Sequence, residues 1–399
     1  MGHKKPTVST FRLRPPEGTT IGYFWALFTL GLAAASIGPS LGGLARNTGA
    51  SLGAVSIVFA AYRAGFVGGA FLGGALLDRL RGNPVVATMM LVMAVVFAAI
   101  PQVSTLAVVG AGFLVLGVGA GTVEIGSNTL LVWRYGNDVG PYMNGLHFAF
   151  GIGAILSPVL IGRAIEITGG LTGGFLLASL LILPGPLLLV RGASPSSPAE
   201  EESTGTPSSV VPVVLVAVFL LLYVGAEAGF GGWVYTYAVT LNLASPAQAG
   251  GMTSAFWGAL TAGRLLLVPV SSRVAPRHIL VAGAAGSVVF LGFAALPVVS
   301  PNAVLLWAVS AGLGLSMAGI FPGTMSFAGR HLRVTGSVSR WFFVGAGAGG
   351  MSIPWLVGRV VDAADTSAAG APAIMWILLV ISTAMAAVLV ALLVVLGRP

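Results

Sequence analysis

The sequence predicts an all-α membrane protein of twelve transmembrane helices in two six-helix halves, and three observations carry that prediction. Charge is scarce: 19 Lys and Arg and 11 Asp and Glu in 399 residues make 8%, with 56% hydrophobic residues and a mean hydropathy of +0.97. Soluble domains carry about 25% charged residues, so a water-exposed surface is excluded and the chain must face lipid. Apolar runs recur along the whole length, and at about 20 residues per span twelve of them occupy about 240 to 300 residues. The second half also repeats the first after a single long polar segment.

The runs lie at 21–45, 53–77, 84–100, 105–132, 141–165, 172–190, 211–238, 249–270, 278–296, 302–329, 338–361 and 371–396. Residues 1–20 hold Lys4, Lys5, Arg12 and Arg14 around three prolines and read as a basic cytoplasmic arm. They lack the small-residue cleavage site of a signal peptide, so the first span is expected to be retained. Residues 21–190 form the N-terminal half, 191–210 a Pro, Ser and Glu-rich linker that cannot bury a core, and 211–399 the C-terminal half.

An even number of spans puts both termini on one side. Lys4, Lys5, Arg12, Arg14, Arg79, Arg81, Arg134, Arg191, Arg273, Arg277, Arg330, Arg333, Arg340 and Arg398 lie in or beside loops on that side; Arg46, Arg163 and Arg359 lie on the other. Positive residues stay in the cytoplasm, so both termini are expected there, in the cell inner (plasma) membrane. The net charge of +8 is thereby an orientation signal, and no basic stripe interleaved with aromatics points to nucleic acid. Zero cysteines exclude disulfides, thiolate metal sites and thiol catalysis. No partner histidine stands in any span to build a metal site with His147, and no cofactor is expected.

The repeat is specific. Shifted by 196, His147 to Glu166 overlies Phe343 to Asp362, pairing Gly151, Gly153, Pro158, Gly162, Arg163 and Glu166 with Gly347, Gly349, Pro354, Gly358, Arg359 and Asp362. A weaker match at a shift of 194 lays residues 61–79 over 255–273. Parallel repeats of this kind place substrate at the repeat interface near the midplane. The Gly-x-Gly steps at 117, 119 and 121 and at 151 and 153 lie inside spans without a strand, so they read as close helix packing rather than phosphate loops.

The run Gly74-Ala-Leu-Leu-Asp78-Arg79-Leu80-Arg81-Gly82-Asn83 resembles the loop signature of the major facilitator superfamily. The resemblance implies that fold and makes Asp78 and Arg79 gate residues, with Asn83 a departure where a second basic residue is common. Glu124 to Asn128, residues 146–160 and residues 225–238 resemble the fucose-permease branch, nearest its sodium-dependent glucose transporter-like group. That resemblance implies a cation-coupling role for Glu124 and a sugar-contacting role for Asn128. The carboxylate that proton-coupled relatives carry in the first span has no counterpart in residues 21–45.

Charged side chains inside spans cost about 2.5 to 3.5 kcal/mol each and need a partner or a cavity. Four stand out: Arg63, Glu124, Glu227 and Arg264. Glu124 and Arg264 lie at similar depth, so Arg264 is expected to neutralise Glu124 or to bind an anion, while Arg63 is placed near the outer end, where its head can snorkel. Glu227, amid Gly225, Gly229, Gly231 and Gly232, suggests a broken seventh span whose carbonyls hold a cation or hydroxyl. The expected coupling residues are therefore Glu124, Glu227 and Arg264. The expected substrate-binding residues are Asn128, Glu124, Trp233, Tyr235, Trp257, Asn144 and His147.

With no nucleophile and base pair, no metal cluster and no soluble domain, the chain is not expected to be an enzyme. The expected function is a secondary active transporter, a symporter of a sugar or similar small polar solute driven by a proton or sodium gradient, with a monomer sufficient. Only two glutamines, Gln102 and Gln248, are present, which is sparse for a sugar site. The alternative is a proton-coupled exporter of amphipathic drugs or lipids, for which Trp25, Trp257 and Trp307 speak.

Overall fold

The computed structural model describes residues 17–77, 79–135, 139–195, 210–271, 273–296, 302–332, 336–364 and 367–396. They contain twelve helices long and apolar enough to cross a membrane. These are α1 (Gly18–Thr48), α2 (Leu52–Leu77), α3 (Gly82–Gln102), α4 (Leu106–Tyr135), α5 (Tyr142–Thr168), α6 (Thr172–Val190), α7 (Val210–Thr240), α8 (Pro246–Val270), α9 (Pro276–Ala295), α10 (Ala303–His331), α11 (Trp341–Asp362) and α12 (Ala368–Leu396). Lipid offers no hydrogen bonds to an open backbone, which is why each apolar run closes on itself as a helix. All twelve runs read from the sequence become one of these helices, and α1 exceeds its run at both ends. Most of the arm expected over 1–20 and of the linker expected over 191–210 falls outside the described residues.

Two breaks within spans lie where proline removes an amide donor. In α10 the helical segments Ala303–Met317 and Ile320–His331 are separated by Ala318 and Gly319. Pro322 has no N–H for the Ala318 carbonyl and its ring crowds that oxygen. Pro184 has the same effect on the Leu180 carbonyl in α6, which divides into Thr172–Ile182 and Pro184–Val190. The break expected in the seventh span does not occur: α7 is one continuous helix from Val210 to Thr240. Its glycines serve close approach instead. A methyl on Gly225 would lie 2.5 Å from Ile353 and one on Gly231 would lie 2.9 Å from the Trp257 ring.

Glycine also sets the spacing inside each half. A methyl on Gly153 in α5 would overlap the Phe28 carbonyl of α1, and one on Gly349 in α11 would overlap the Leu221 carbonyl of α7, so the repeat recurs in the packing. Gly117 and Gly121 in α4 press on the Tyr62 and Phe66 carbonyls of α2, and Gly65 returns the contact on Leu114. The Gly-x-Gly steps are helix crossings, as expected. Gly65→Ala should therefore cost about 2 to 3 kcal/mol through forced separation of α2 and α4. Gly68→Ala, one turn on, has nothing within 4 Å of the new methyl and should be neutral or slightly stabilising. Thermal unfolding of the two variants in detergent checks the difference, and equal midpoints would show that the crossing relaxes freely.

The two halves meet on the side away from the termini, called the far side below. There Gly38 of α1 meets the Gly232 carbonyl of α7, Gly250 of α8 meets the Pro158 carbonyl of α5, and Gly358 of α11 meets Ser56 of α2. The Ser254 hydroxyl donates to the Ile155 carbonyl at 2.6 Å, and the Ser56 hydroxyl reaches the Trp355 carbonyl at 3.4 Å. Along α2, Phe59 and Tyr62 are buried at this closure, whereas Phe71 nearer the termini is 76% exposed. The conformer is closed on the far side.

Candidate coupling and substrate site

One carboxylate and arginine pair forms at mid-depth inside the spans, and its partners differ from those expected. Tyr223 and Glu227 stand one turn apart on α7, so their side chains share a face. The Tyr223 hydroxyl donates to Glu227 Oε2 in a short hydrogen bond, and the same hydroxyl lies 3.4 Å from the Met317 carbonyl at the break in α10. Arg264 on α8 completes the group, with its guanidinium 3.9 Å from Glu227 Oε2. The carboxylate side chain is 13% exposed and the guanidinium side chain 35%, so the pair sits at the wall of the space between the halves. At 3.9 Å the pairing is electrostatic, and Arg264 Nε is buried without a hydrogen-bond acceptor. The Arg264 charge also acts on His147 across the interface.

In the first half the charge of Arg63 acts on Glu124, with no direct ion pair between them. The carboxylate that Arg264 meets is therefore Glu227 and not Glu124. Equal depth cannot say which wall of a bundle a side chain occupies, and helix rotation put Arg264 beside α7. Arg63 is not a snorkelling residue at an outer rim either. A methyl on Gly350 of α11 would lie 3.0 Å from Arg63 Nε, so the guanidinium is laid across the interface into a gap that glycine leaves. The Asn128 amide donates at 2.8 Å to the Glu124 carbonyl of its own helix, leaving its oxygen as the group free to accept.

The remaining expected site residues separate by depth. Trp233 is buried in the far-side closure, its indole N–H donating to the Pro354 carbonyl at 2.9 Å and its ring 6.3 Å from that of Phe59. It is a packing residue of the closed side in this conformer, not an open sugar platform. Tyr235 is buried about half a turn beyond it, near Arg46. Trp257 is buried edge-on against Phe256, with ring centroids 5.2 Å apart, and its indole N–H has no acceptor. Asn144 and His147 are exposed at the end of α5 nearest the termini. Of the gate pair, Asp78 lies outside the described residues and Arg79 is exposed in the turn after α2. Among the described residues no cluster of three metal-ligating side chains exists.

Sequence reasoning passed over Tyr223, although its position four residues before Glu227 was a readable sign. It also took Asn83 as a departure from the loop signature, whereas Asn83 is wholly buried and hydrogen-bonded to Tyr23 of α1 and to the stretch that follows α6.

A transmembrane bundle with paired internal repeats, a glycine-lined closure on one face and a charged pair at mid-depth defines a class, and the Major Facilitator Superfamily profile matches residues 23–354. The chain belongs to that superfamily, and membership makes it a transmembrane transporter rather than an enzyme. It is 28% identical over 358 residues to the sodium-dependent glucose transporter 1 of Xenopus laevis, with 82% of this chain and 72% of that protein covered. It is 26% identical over 373 residues to the sodium-dependent glucose transporter 1A of Mus musculus, covering 84% of this chain and 87% of that protein. The crystal structure of a point mutant of the nucleoside transporter NupG superposes with a TM-score of 0.75 at 14% identity, over 94% of this chain and 99% of that one, which establishes the shared fold.

Proposed function

We propose that the chain is a secondary active transporter that moves a sugar or similar small polar solute by alternating access, coupled to a proton or sodium gradient. The Glu227, Tyr223 and Arg264 group carries the reading. A loosely paired carboxylate at mid-depth, on the wall between two halves, can gain a proton or a cation by giving up its attraction to Arg264, whose partly exposed guanidinium keeps some solvation. Glu124, on which the charge of Arg63 acts, is a second coupling candidate in the other half, and Asn128 one turn from it offers an acceptor to a hydroxyl. In-span charges cancel, two arginines against two glutamates, which favours a neutral solute over an ion. The names of the two relatives supply the sugar class. The distribution of lysine and arginine supports cytoplasmic termini in the plasma membrane, and one chain holds both halves, so a monomer suffices.

Proteoliposomes loaded to impose either a proton or a sodium gradient test the reading with a panel of labelled hexoses. Uptake of at least one hexose above the gradient-free level is expected. Extrusion of an amphipathic dye with no hexose uptake would overturn it. Glu124→Gln is expected to lower gradient-driven accumulation about tenfold while leaving solute exchange within a few-fold, and full accumulation would remove Glu124 from coupling.

A further inference from the structure

The internal repeat places the same polar device at both corners of the far side. At one corner the Ser51 hydroxyl, which caps the first turn of α2 by accepting from the Ala54 N–H at 3.1 Å, donates to Asp362 Oδ2 of α11 at 2.7 Å. At the other, the Ser245 hydroxyl stands before α8, accepts from the Gln248 N–H at 3.4 Å and donates to Glu166 Oε1 of α5 at 2.9 Å. Each relay runs amide to serine to carboxylate, and each carboxylate belongs to the opposite half from its serine. Ser51 and Ser245 are related by the shift of 194, and Asp362 and Glu166 by the shift of 196. The backbones are brought equally close at both corners. A methyl on Gly53 would lie 2.6 Å from the Gly358 carbonyl, and one on Gly162 would lie 2.5 Å from the Pro246 carbonyl.

We propose that Ser51 with Asp362 and Ser245 with Glu166 are paired, repeat-related latches that hold the far side shut. This rests on the alternating-access reading above, and on neither the solute nor the coupling ion. Each carboxylate is already exposed at the rim, and what opening of the far side removes is its bond to the serine of the other half; the latches are made in one conformer and unmade in the other, which is the differential contact a conformational switch requires. Arg163 pairs with Glu166 at 2.9 Å within α5 and stays with it in both states. It therefore orients the carboxylate without biasing the equilibrium.

The chain has no cysteine, so Phe59→Cys introduces a single thiol. Phe59 is buried against Trp233 behind both latches. Labelling by a membrane-impermeant maleimide added from the far side then reports opening. With Asp362→Ala and Glu166→Ala together, labelling is expected to accelerate about tenfold, and with Ser51→Ala or Ser245→Ala alone about two- to fivefold. Ser51→Lys with Asp362 intact should label more slowly than the parent, because an ion pair replaces the hydrogen bond; simple destabilisation would move it the other way. Parent-rate labelling in the paired variant overturns the proposal, and should that variant elute as aggregate, parent-rate labelling in both single serine variants does so. No substrate is needed, so this result stands apart from the outcome of the hexose panel.

Discussion

Glu227→Gln should abolish gradient-driven accumulation, lowering the steady-state solute ratio across the membrane by about 100-fold, toward unity, while leaving exchange of solute down its own gradient within several-fold of the parent. The substitution keeps the shape and one acceptor oxygen, so Tyr223 can still donate. What it removes is the ability to alternate between charged and neutral or cation-bound states, and with it the charge that balances Arg264 at 3.9 Å. Stability should fall by about 2 to 3 kcal/mol, at or below the low end of the range for breaking a fully buried pair, because the guanidinium is partly solvated. Arg264→Gln alone should cost more, since the carboxylate it strands is more enclosed. The double variant should recover most of the loss, because neither charge is then left without its partner. Paired measurements of accumulation, counterflow and thermal midpoint separate the two roles. Parent-level accumulation in Glu227→Gln, with the stability loss present, would make the pair a structural one.

The span count was legible because lipid imposes one rule on every segment, a run of about 20 apolar residues with the backbone closed on itself. Interruptions within spans were harder to read. Four glycines around Glu227 looked like a break, yet a helix accepts glycine wherever a neighbour presses on it, and Gly232 of α7 lies under Phe59. In α10 a single Pro322 inside an apolar run was the true signal, because a missing amide has consequences that a missing side chain lacks. Candidate site residues were legible as types, since an in-span charge announces itself. Their partners were not. Depth along a helix follows from counting residues, but the facing direction follows from packing, and that separated Arg264 from Glu124 and brought it to Glu227. The duplication at 196 was visible as letters, and only the fold showed that its Glu166 and Asp362 each reach a serine of the other half.

Asn83→Ala should be among the most damaging single changes away from the charged pair, lowering stability by about 2 to 4 kcal/mol. The loop resemblance made this position a place where a basic side chain is common and its absence a weakness. The structure gives the amide a task that neither lysine nor arginine can perform. Its Oδ1 accepts from the Tyr23 hydroxyl of α1 at 2.6 Å, while its Nδ2 donates to the Gly192 carbonyl just beyond α6 at 3.0 Å and reaches the Leu189 carbonyl in the last turn of α6 at 3.4 Å. The Asn83 amide N–H donates to Ser194 Oγ at 3.0 Å. A lysine or arginine has donors only and would leave the tyrosine proton without an acceptor; an aspartate would accept from tyrosine but set a carboxylate against two carbonyl oxygens. Asparagine alone of these satisfies both sides of a site that water does not reach. Asn83→Asp and Asn83→Lys should therefore destabilise at least as much as Asn83→Ala. Tyr23→Phe should cost about 1 kcal/mol in the parent and almost nothing on the Asn83→Ala background, because its partner is already gone. Denaturant or thermal unfolding of these variants, with transport per folded molecule measured alongside, decides the matter. If Asn83→Lys matched the parent in stability, the buried amide would not be what ties the ends of α1, α3 and α6 together.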